Sequence, residues 1–131
     1  MMVDDNEIDL KINSKIITIT KLFDEIIVCK SGLEGMDYLN KFIDSPEKLP
    51  NYILLDIQMP DMNGFDFLDC YKRLPKQFIN KCQVIMLSSS LDFGDIKRAE
   101  ANPHVIKLLK KPLSPTEIDL LSFELRLCSK F

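Results

Sequence analysis

The chain has 131 residues, 46% of them hydrophobic and 28% charged, and a formal net charge of −3 from 17 Lys+Arg against 20 Asp+Glu. This length suits one domain with a real core and is too short for two, so residues 1–131 read as a single domain. Lys and Arg are scattered rather than clustered, which excludes a dedicated nucleic-acid surface, and no apolar run is long enough for a membrane span.

Met1-Met2-Val3 is an apolar start that reads as a very short strand, ending in Asp4-Asp5. It has neither a basic n-region nor an apolar h-region, so it does not read as a signal peptide. Asp5 or Asn6 is placed to cap a helix. Ile8, Ile12, Ile16 and Ile19 then recur at helical spacing to about Lys21. Glu25 to Cys29 is a β-branched strand. Ser31-Gly32-Leu33-Glu34 has the form of a capping box, opening a helix that runs through Leu33, Met36 and Leu39 or Tyr38 to about Phe42. Ser45 to Pro50 is a loop.

Tyr52 to Leu55 is a short apolar run with the pattern of a buried strand, and it delivers Asp56 to its end. Pro60 and Asn63-Gly64 punctuate the loop that follows. A helix starts at about Gly64, turns Phe65, Leu68 and Tyr71 inward, and stops by Pro75. Gln83 to Leu87 is a fourth strand running into Ser88-Ser89-Ser90. A less regular helix spans about Phe93 to Glu100, and Asn102-Pro103 turns the chain. Val105 to Leu109 is a fifth strand, leading to Lys110-Lys111-Pro112-Leu113. Ser114-Pro115-Thr116-Glu117 is a second capping-box pattern, with Pro at the first helical position, where its missing amide costs nothing. Ile118, Leu121, Leu125 and Cys128 form the inward stripe of the last helix. Phe93 and Phe123 read as core residues ahead of the alternative, exposed docking residues, and His104 as a surface loop residue with no catalytic role.

Unbroken alternation of strand and helix calls for an α/β architecture, (βα)5, with a parallel sheet covered on both faces. Right-handed crossovers then favour a flavodoxin-like doubly wound sheet in the order 2-1-3-4-5. The four cysteines, Cys29, Cys70, Cys82 and Cys128, have no Cys-x-x-Cys spacing. They read as reduced thiols of a cytoplasmic protein rather than as zinc ligands.

In such a sheet all strand ends share one edge, which brings together Asp4 and Asp5, Asp56, Ser88 and Lys111. Each has an ordinary reading: a cap, a turn, a helix start, a solvated charge. Together they describe chemistry. Three close carboxylates repel, and a divalent cation held by oxygen ligands, Mg²⁺, resolves the repulsion. Lys111 and the Ser88 hydroxyl remain to receive an anion, while Asp56 is placed as a nucleophile, so the set reads as a phosphoryl-transfer site.

These residues carry a resemblance. Val3-Asp4-Asp5-Asn6-Glu7, Leu54 to Gly64, Val84 to Ser89 and Lys110-Lys111-Pro112-Leu113 together resemble the response regulator receiver domains of two-component signalling, the CheY-like family. The resemblance implies that Asp56 accepts a phosphoryl group from a histidine kinase or histidine phosphotransfer protein. It implies that Asp5, Asp56 and the Gln58 carbonyl ligate Mg²⁺, with Asp4 acting through water. It implies that Lys111 pairs with the phosphoryl group, that the Ser88 hydroxyl moves to bond it, and that the Lys111-Pro112 bond is cis. Such a protein is a signalling phospho-acceptor, not a metabolic enzyme; it catalyses only its own phosphorylation and slow dephosphorylation, which Gln58 and Ser90 flank. A homodimer through the fourth helix, fifth strand and fifth helix, and an unidentified downstream target, belong to the same expectation.

Three departures stand out. The first strand is short, Ser88 replaces the common threonine, and the switch position three residues before Lys111, often aromatic, is Leu108. Rival readings fit less well. A haloacid-dehalogenase-type phosphatase wants a second Asp where Gln58 stands, and a flavodoxin-like cofactor binder wants a glycine- and hydroxyl-rich loop where Asp4-Asp5-Asn6-Glu7 stands. A pseudo-receiver that docks partners without phosphorylation is the alternative that keeps the fold.

Overall fold

The computed structural model describes residues 1–129, and side chains through Leu125. In chain order the elements are β1 (Met2–Val3), α1 (Glu7–Thr20), β2 (Val28–Cys29), α2 (Gly32–Lys41), β3 (Tyr52–Asp56), α3 (Gly64–Tyr71), α4 (Lys76–Ile79), β4 (Gln83–Ser88), α5 (Phe93–Ala101), β5 (Val105–Lys110) and α6 (Pro115–Ser129). One turn of 3₁₀-helix, Pro46–Lys48, interrupts the loop before β3. The five strands form one sheet in the order β2-β1-β3-β4-β5, and every pairing is parallel. The doubly wound architecture read from the alternation is therefore the architecture found.

Both faces of the sheet are covered, because consecutive strand residues point to opposite sides. Val3, Ile53, Leu55, Val84 and Met86 pack with Met36, Leu39, Phe67, Leu68 and Tyr71 on the α2–α3 side. Met2, Leu54, Ile85, Leu87 and Leu109 pack with Leu10, Ile17, Ile118 and Leu121 on the α1–α6 side. Ile53, Leu54 and Leu55 are each at most 2% exposed, which explains why β3 reads as a continuous apolar run rather than an alternating one.

The boundaries differ from the sequence reading in instructive ways. β2 holds only Val28–Cys29, and of Glu25 to Ile27 only the Ile27 carbonyl bonds to β1, accepting from Met2 N at 2.7 Å. β1 is equally short but central, bonded to β2 on one side and β3 on the other. Pro75 does not follow α3 directly; that helix ends at Tyr71, and Pro75 caps the extra turn α4. The Ser31 hydroxyl accepts from Glu34 N at 3.0 Å, but the Glu34 carboxylate reaches back to Lys30 N rather than to Ser31 N. At α6, Ser114 Oγ accepts from Glu117 N and donates to the Glu117 carboxylate. The complete capping box is at α3, where Asn63 Oδ1 accepts from Asp66 N and Asp66 Oδ2 from Asn63 N.

Three of the four isoleucines of the α1 stripe point outward, and only Ile16 packs against the core. The helix is present, but Ile8 and Ile19 are 69% and 66% exposed, and the fully buried residues are Leu10, Asn13 and Ile17. Phe93 and Phe123, read as core, are exposed instead, and Leu33 stands out from α2. His104 lies in the turn before β5 as read, and is half-buried there, with its ring edge-on to Tyr71 at 5.4 Å between centroids. Cys29, Cys70 and Cys82 are free thiols; Cys128 lies outside the described side chains. No helix among the described residues is long and apolar enough to cross a membrane.

Candidate functional site

The carboxyl ends of β1, β3, β4 and β5 meet at one edge of the sheet, and ladder register decides which residues arrive there. Asp56 is opposite Leu87, and Ser88 is opposite Lys110. Lys111 N donates to Ser88 O at 2.8 Å and Ile57 N to Leu87 O at 2.9 Å, so the pairing continues one residue past each strand. The Lys111-Pro112 peptide is cis.

Asp4, Asp5 and Asp56 come together as expected, each offering a carboxylate oxygen within 4.8 Å of the others. Asp4 and Asp56 are buried and Asp5 is exposed. Asp4 Oδ1 accepts from Asn6 N at 3.0 Å. Asn6, rather than Asp5, caps α1, accepting from Ile8 N and Asp9 N. The cap turns the chain sharply after Asp4, so both neighbouring carboxylates stay at the sheet edge.

Lys111 is buried, although a lone lysine ordinarily reads as a solvated charge. Its Nζ lies 3.0 Å from Asp4 Oδ2, 2.9 Å from Asp9 Oδ2 and 3.2 Å from Asp56 Oδ1. Burial alone works against the ammonium. The hydrogen bonds to Asp9 and Asp4 and the charges of Asp56 and Asp4 outweigh it, and its pKa lies above the ordinary lysine value. Asp56 is pushed up to about 7, first by burial and then by the Asp4 charge, against which Lys111 compensates only in part. Its Oδ1 is buried without a hydrogen-bond partner. Crowded hard oxygen donors, two of the three carboxylates buried, with an incompletely compensated negative charge suit a small divalent cation such as Mg²⁺; Asp4, Asp5 and Asp56 are the residues that would hold it.

The Ser88 hydroxyl is buried at the same edge but is turned to Ser90, donating to its carbonyl and accepting from its N–H at 3.2 Å. Gln58 is exposed on the loop after β3, its amide oxygen accepting from Ser89 Oγ at 3.3 Å. Leu108 is half-buried in β5, opposite Met86, and packs on the α2–α3 side of the sheet, away from the carboxylates. Gly64 explains the Asn-Gly pair: a Cβ there would stand 2.7 Å from the Asp56 carbonyl oxygen and 3.0 Å from Ile57 Cα. Only glycine lets the start of α3 come this close to the backbone of the acceptor.

Sequence reasoning missed Asp9 and Asn13. They lie one turn apart on α1, where the Asp9 carboxylate accepts from the Lys111 ammonium at 2.9 Å and the Asn13 side chain accepts from Leu113 N at 3.1 Å. The signal that could have found them is the polar Asp9-x-x-x-Asn13 pair beside Leu10 and Ile17; the louder isoleucine stripe on the other face masked it.

The family model of the response regulator receiver domain matches residues 1–121. A response regulatory protein of Staphylococcus epidermidis is 33% identical over 97 residues, 74% of this chain and 34% of that protein. The transcriptional regulatory protein HptR of Staphylococcus aureus is 30% identical over 99 residues, 76% of this chain and again 34% of that protein. The chain thus spans about a third of the length of these curated relatives. Among solved structures, a two-component response regulator from Cytophaga hutchinsonii is 33% identical with a TM-score of 0.85, covering 94% of this chain and 92% of its own. A response regulator receiver protein from Dyadobacter fermentans is 36% identical with a TM-score of 0.82, covering 95% and 92%.

Proposed function

Since the chain belongs to the response regulator receiver family, we propose that Asp56 is its phosphoryl acceptor in a two-component phosphorelay. The observation that carries this reading is the buried Asp56 carboxylate, 3.2 Å from the Lys111 ammonium and within 4.8 Å of the Asp4 and Asp5 oxygens.

In the proposed reaction an Asp56 oxygen attacks phosphorus, an O–P bond forms and the bond to the donor's leaving group breaks. With a phosphohistidine donor the N–P bond breaks and the imidazole leaves with the bonding pair. Asp56 must be ionised to attack, and burial together with the Asp4 charge raises the free energy of that ionised form. Mg²⁺, when held, neutralises charge on the carboxylates and on the transferring group. Asp5, Asp56 and the Gln58 carbonyl are proposed as its direct ligands, and Asp4 as one acting through water. Lys111 supplies the protein's own positive charge to the phosphoryl oxygens. Attack is favoured by a buried site that excludes most water, and slow hydrolysis past Gln58 and Ser90 resets the protein.

Switching follows from the Ser88 contacts. Phosphorylation replaces the single charge of the ionised Asp56 carboxylate with a phosphoryl group carrying roughly 1.5 to 2 negative charges, a net gain of about one at most, and adds strong acceptors there. Ser88 gains a bond to it by leaving Ser90, whose backbone now holds the hydroxyl. The β4–α5 loop moves with it, and the surface formed by α5, β5 and α6 is the proposed output, for a downstream target or a second copy of the chain. With Leu108 at the switch position, no aromatic ring turns inward there, so backbone movement carries the change. Phe93, Ile106 and Phe123 are exposed on these elements. The donor is a histidine kinase or histidine phosphotransfer protein, and the compartment is the cytoplasm.

The test is the intact mass of the protein after incubation with acetyl phosphate and Mg²⁺, beside Asp56→Asn and a Mg²⁺-free control. One added phosphoryl group, lost in both controls, supports the reading. No added mass on the folded wild type refutes it and favours a module that docks partners without phosphorylation.

A further inference from the structure

Lys111 is held from two sides, and only one of them belongs to the acidic cluster at the strand ends. An ammonium has three N–H groups. One goes to Asp4 Oδ2 at 3.0 Å and one to Asp9 Oδ2 at 2.9 Å. The third is left for Asp56 Oδ1, which is 3.2 Å from Nζ yet has no partner of hydrogen-bonding geometry. Two well-formed bonds fix the direction of the third N–H, as two legs fix a tripod.

Asp9 is itself held. It is the third residue of α1, its N–H bonded to the Asn6 cap, and its side chain is only 29% exposed. One turn on, Asn13 is 1% exposed and grips Leu113 N. The α1 helix therefore holds the Lys111-Pro112-Leu113 segment at both ends, by side chain at Lys111 and by backbone at Leu113. Asp9 is not among the three clustered carboxylates that would hold a cation.

We propose that Asp9 is a positioning residue for phosphoryl transfer: it anchors the Lys111 ammonium so that its remaining N–H faces Asp56 and the incoming phosphoryl oxygens. The proposal rests on the acceptor reading above. Asp9 does not touch the reacting atoms; it acts through Lys111. Its useful property is an acceptor oxygen at a fixed place, which Asp9→Asn keeps and Asp9→Ala removes. Misplacing a charge by about 1 Å at a transfer site is enough to slow it by up to about a hundredfold.

The experiment compares wild type, Asp9→Ala and Asp9→Asn by two readouts. The first is the rate of Asp56 phosphorylation by acetyl phosphate at saturating Mg²⁺. The second, in metal-free protein, is the solvent-protected side-chain ammonium resonance of Lys111. The expected result is an Asp9→Ala rate at least about tenfold below wild type, with the resonance lost to exchange. Asp9→Asn is expected within about threefold of wild type, with the resonance kept. An alanine variant at the wild-type rate, an asparagine variant as slow as alanine, or an unchanged ammonium resonance in the alanine variant overturns the proposal. If Asp9→Ala does not fold, Asp9→Glu takes its place. It keeps the charge but displaces the oxygen by one methylene, and a wild-type rate in it is equally fatal. A folded wild type that takes no phosphoryl group removes the acceptor reading and this proposal together. A phosphorylated wild type beside a fast Asp9→Ala removes this proposal alone.

Discussion

Lys111 Nζ and Asp56 Oδ1 stand 3.2 Å apart as an ion pair without a hydrogen bond. Attraction is present, but the two well-formed hydrogen bonds of Lys111 go to Asp4 and Asp9. The acceptor carboxylate is thus the least satisfied group in the cluster, and its ionised form is the one that gains most from a cation or a new bond.

This leads to a pH dependence in metal-free buffer. Asp56 has a folded-state pKa of about 7 against an ordinary value of 3.8. Between these values the folded protein holds a proton that the unfolded chain has lost, so this group makes stability fall as pH rises from about 4 through 7. The full effect above pH 7 is on the order of 4 kcal/mol. Urea unfolding in EDTA is expected to show this fall in wild type and not in Asp56→Asn, and Mg²⁺ is expected to reduce it. Identical pH profiles for the two proteins would contradict the assignment.

Lys111→Ala leaves Asp4 and Asp56 buried with no cation. Breaking a buried pair in this way destabilises by about 3–5 kcal/mol. The loss is expected to be larger in EDTA than with Mg²⁺, because the cation replaces part of the missing charge. Thermal melts of wild type and variant in both buffers measure the difference, and equal losses in the two would count against a cation at this site.

Gly64→Ala forces a Cβ against the Asp56 carbonyl and Met86 Cε, at 2.7 and 2.8 Å. Met86 has room to adjust as a flexible side chain, but the backbone does not. A destabilisation of about 1–3 kcal/mol is expected, with slower phosphorylation because α3 and the Asp56 backbone are pushed apart. A variant as stable as wild type in urea would show that the close approach is relaxed in solution.

The thiols of Cys29 and Cys82 are pushed up to about 11, chiefly by burial. The thiolate is the reactive form, so both are expected to resist a thiol reagent at pH 8 in the native state and to react on unfolding in guanidinium. Mapping labelled peptides by mass checks this; rapid native labelling at either position would mean that the chain opens locally there.

Much of the site was legible because its carriers are local. Apolar runs that end in Asp56, Ser88 and Lys111 mark strand ends, and parallel pairing obliges strand ends to meet, so convergence follows from pattern alone. The turn at Asn63-Gly64 was legible for the same reason, although the physical need for glycine was a close approach rather than a special backbone angle. Helix α1 shows the limit. Its spacing identified a helix, but Ile8, Ile12 and Ile19 lie outward, while Asp9 and Asn13 face the Lys111 segment. Periodicity finds a stripe without saying which stripe is covered, and polar residues that bond a buried lysine look like solvent residues until that lysine is in place. Phe93 and Phe123 misled in the same direction, since hydrophobicity favours burial but does not compel it.

By itself the sequence determined the alternation of strands and helices, the parallel sheet and the identity of the strand-end residues. These follow from side-chain periodicity and backbone preference, which act within a few residues. Tertiary structure decided which face of α1 is buried, that Lys111 is a buried ammonium shared among Asp4, Asp9 and Asp56, and that Ser88 rests on Ser90. The α1 face and the Lys111 cluster depend on contacts between segments up to about a hundred residues apart, where electrostatics and desolvation act through space and chain order carries no record of them; the Ser88 contact is local but is set by the loop conformation at the strand end.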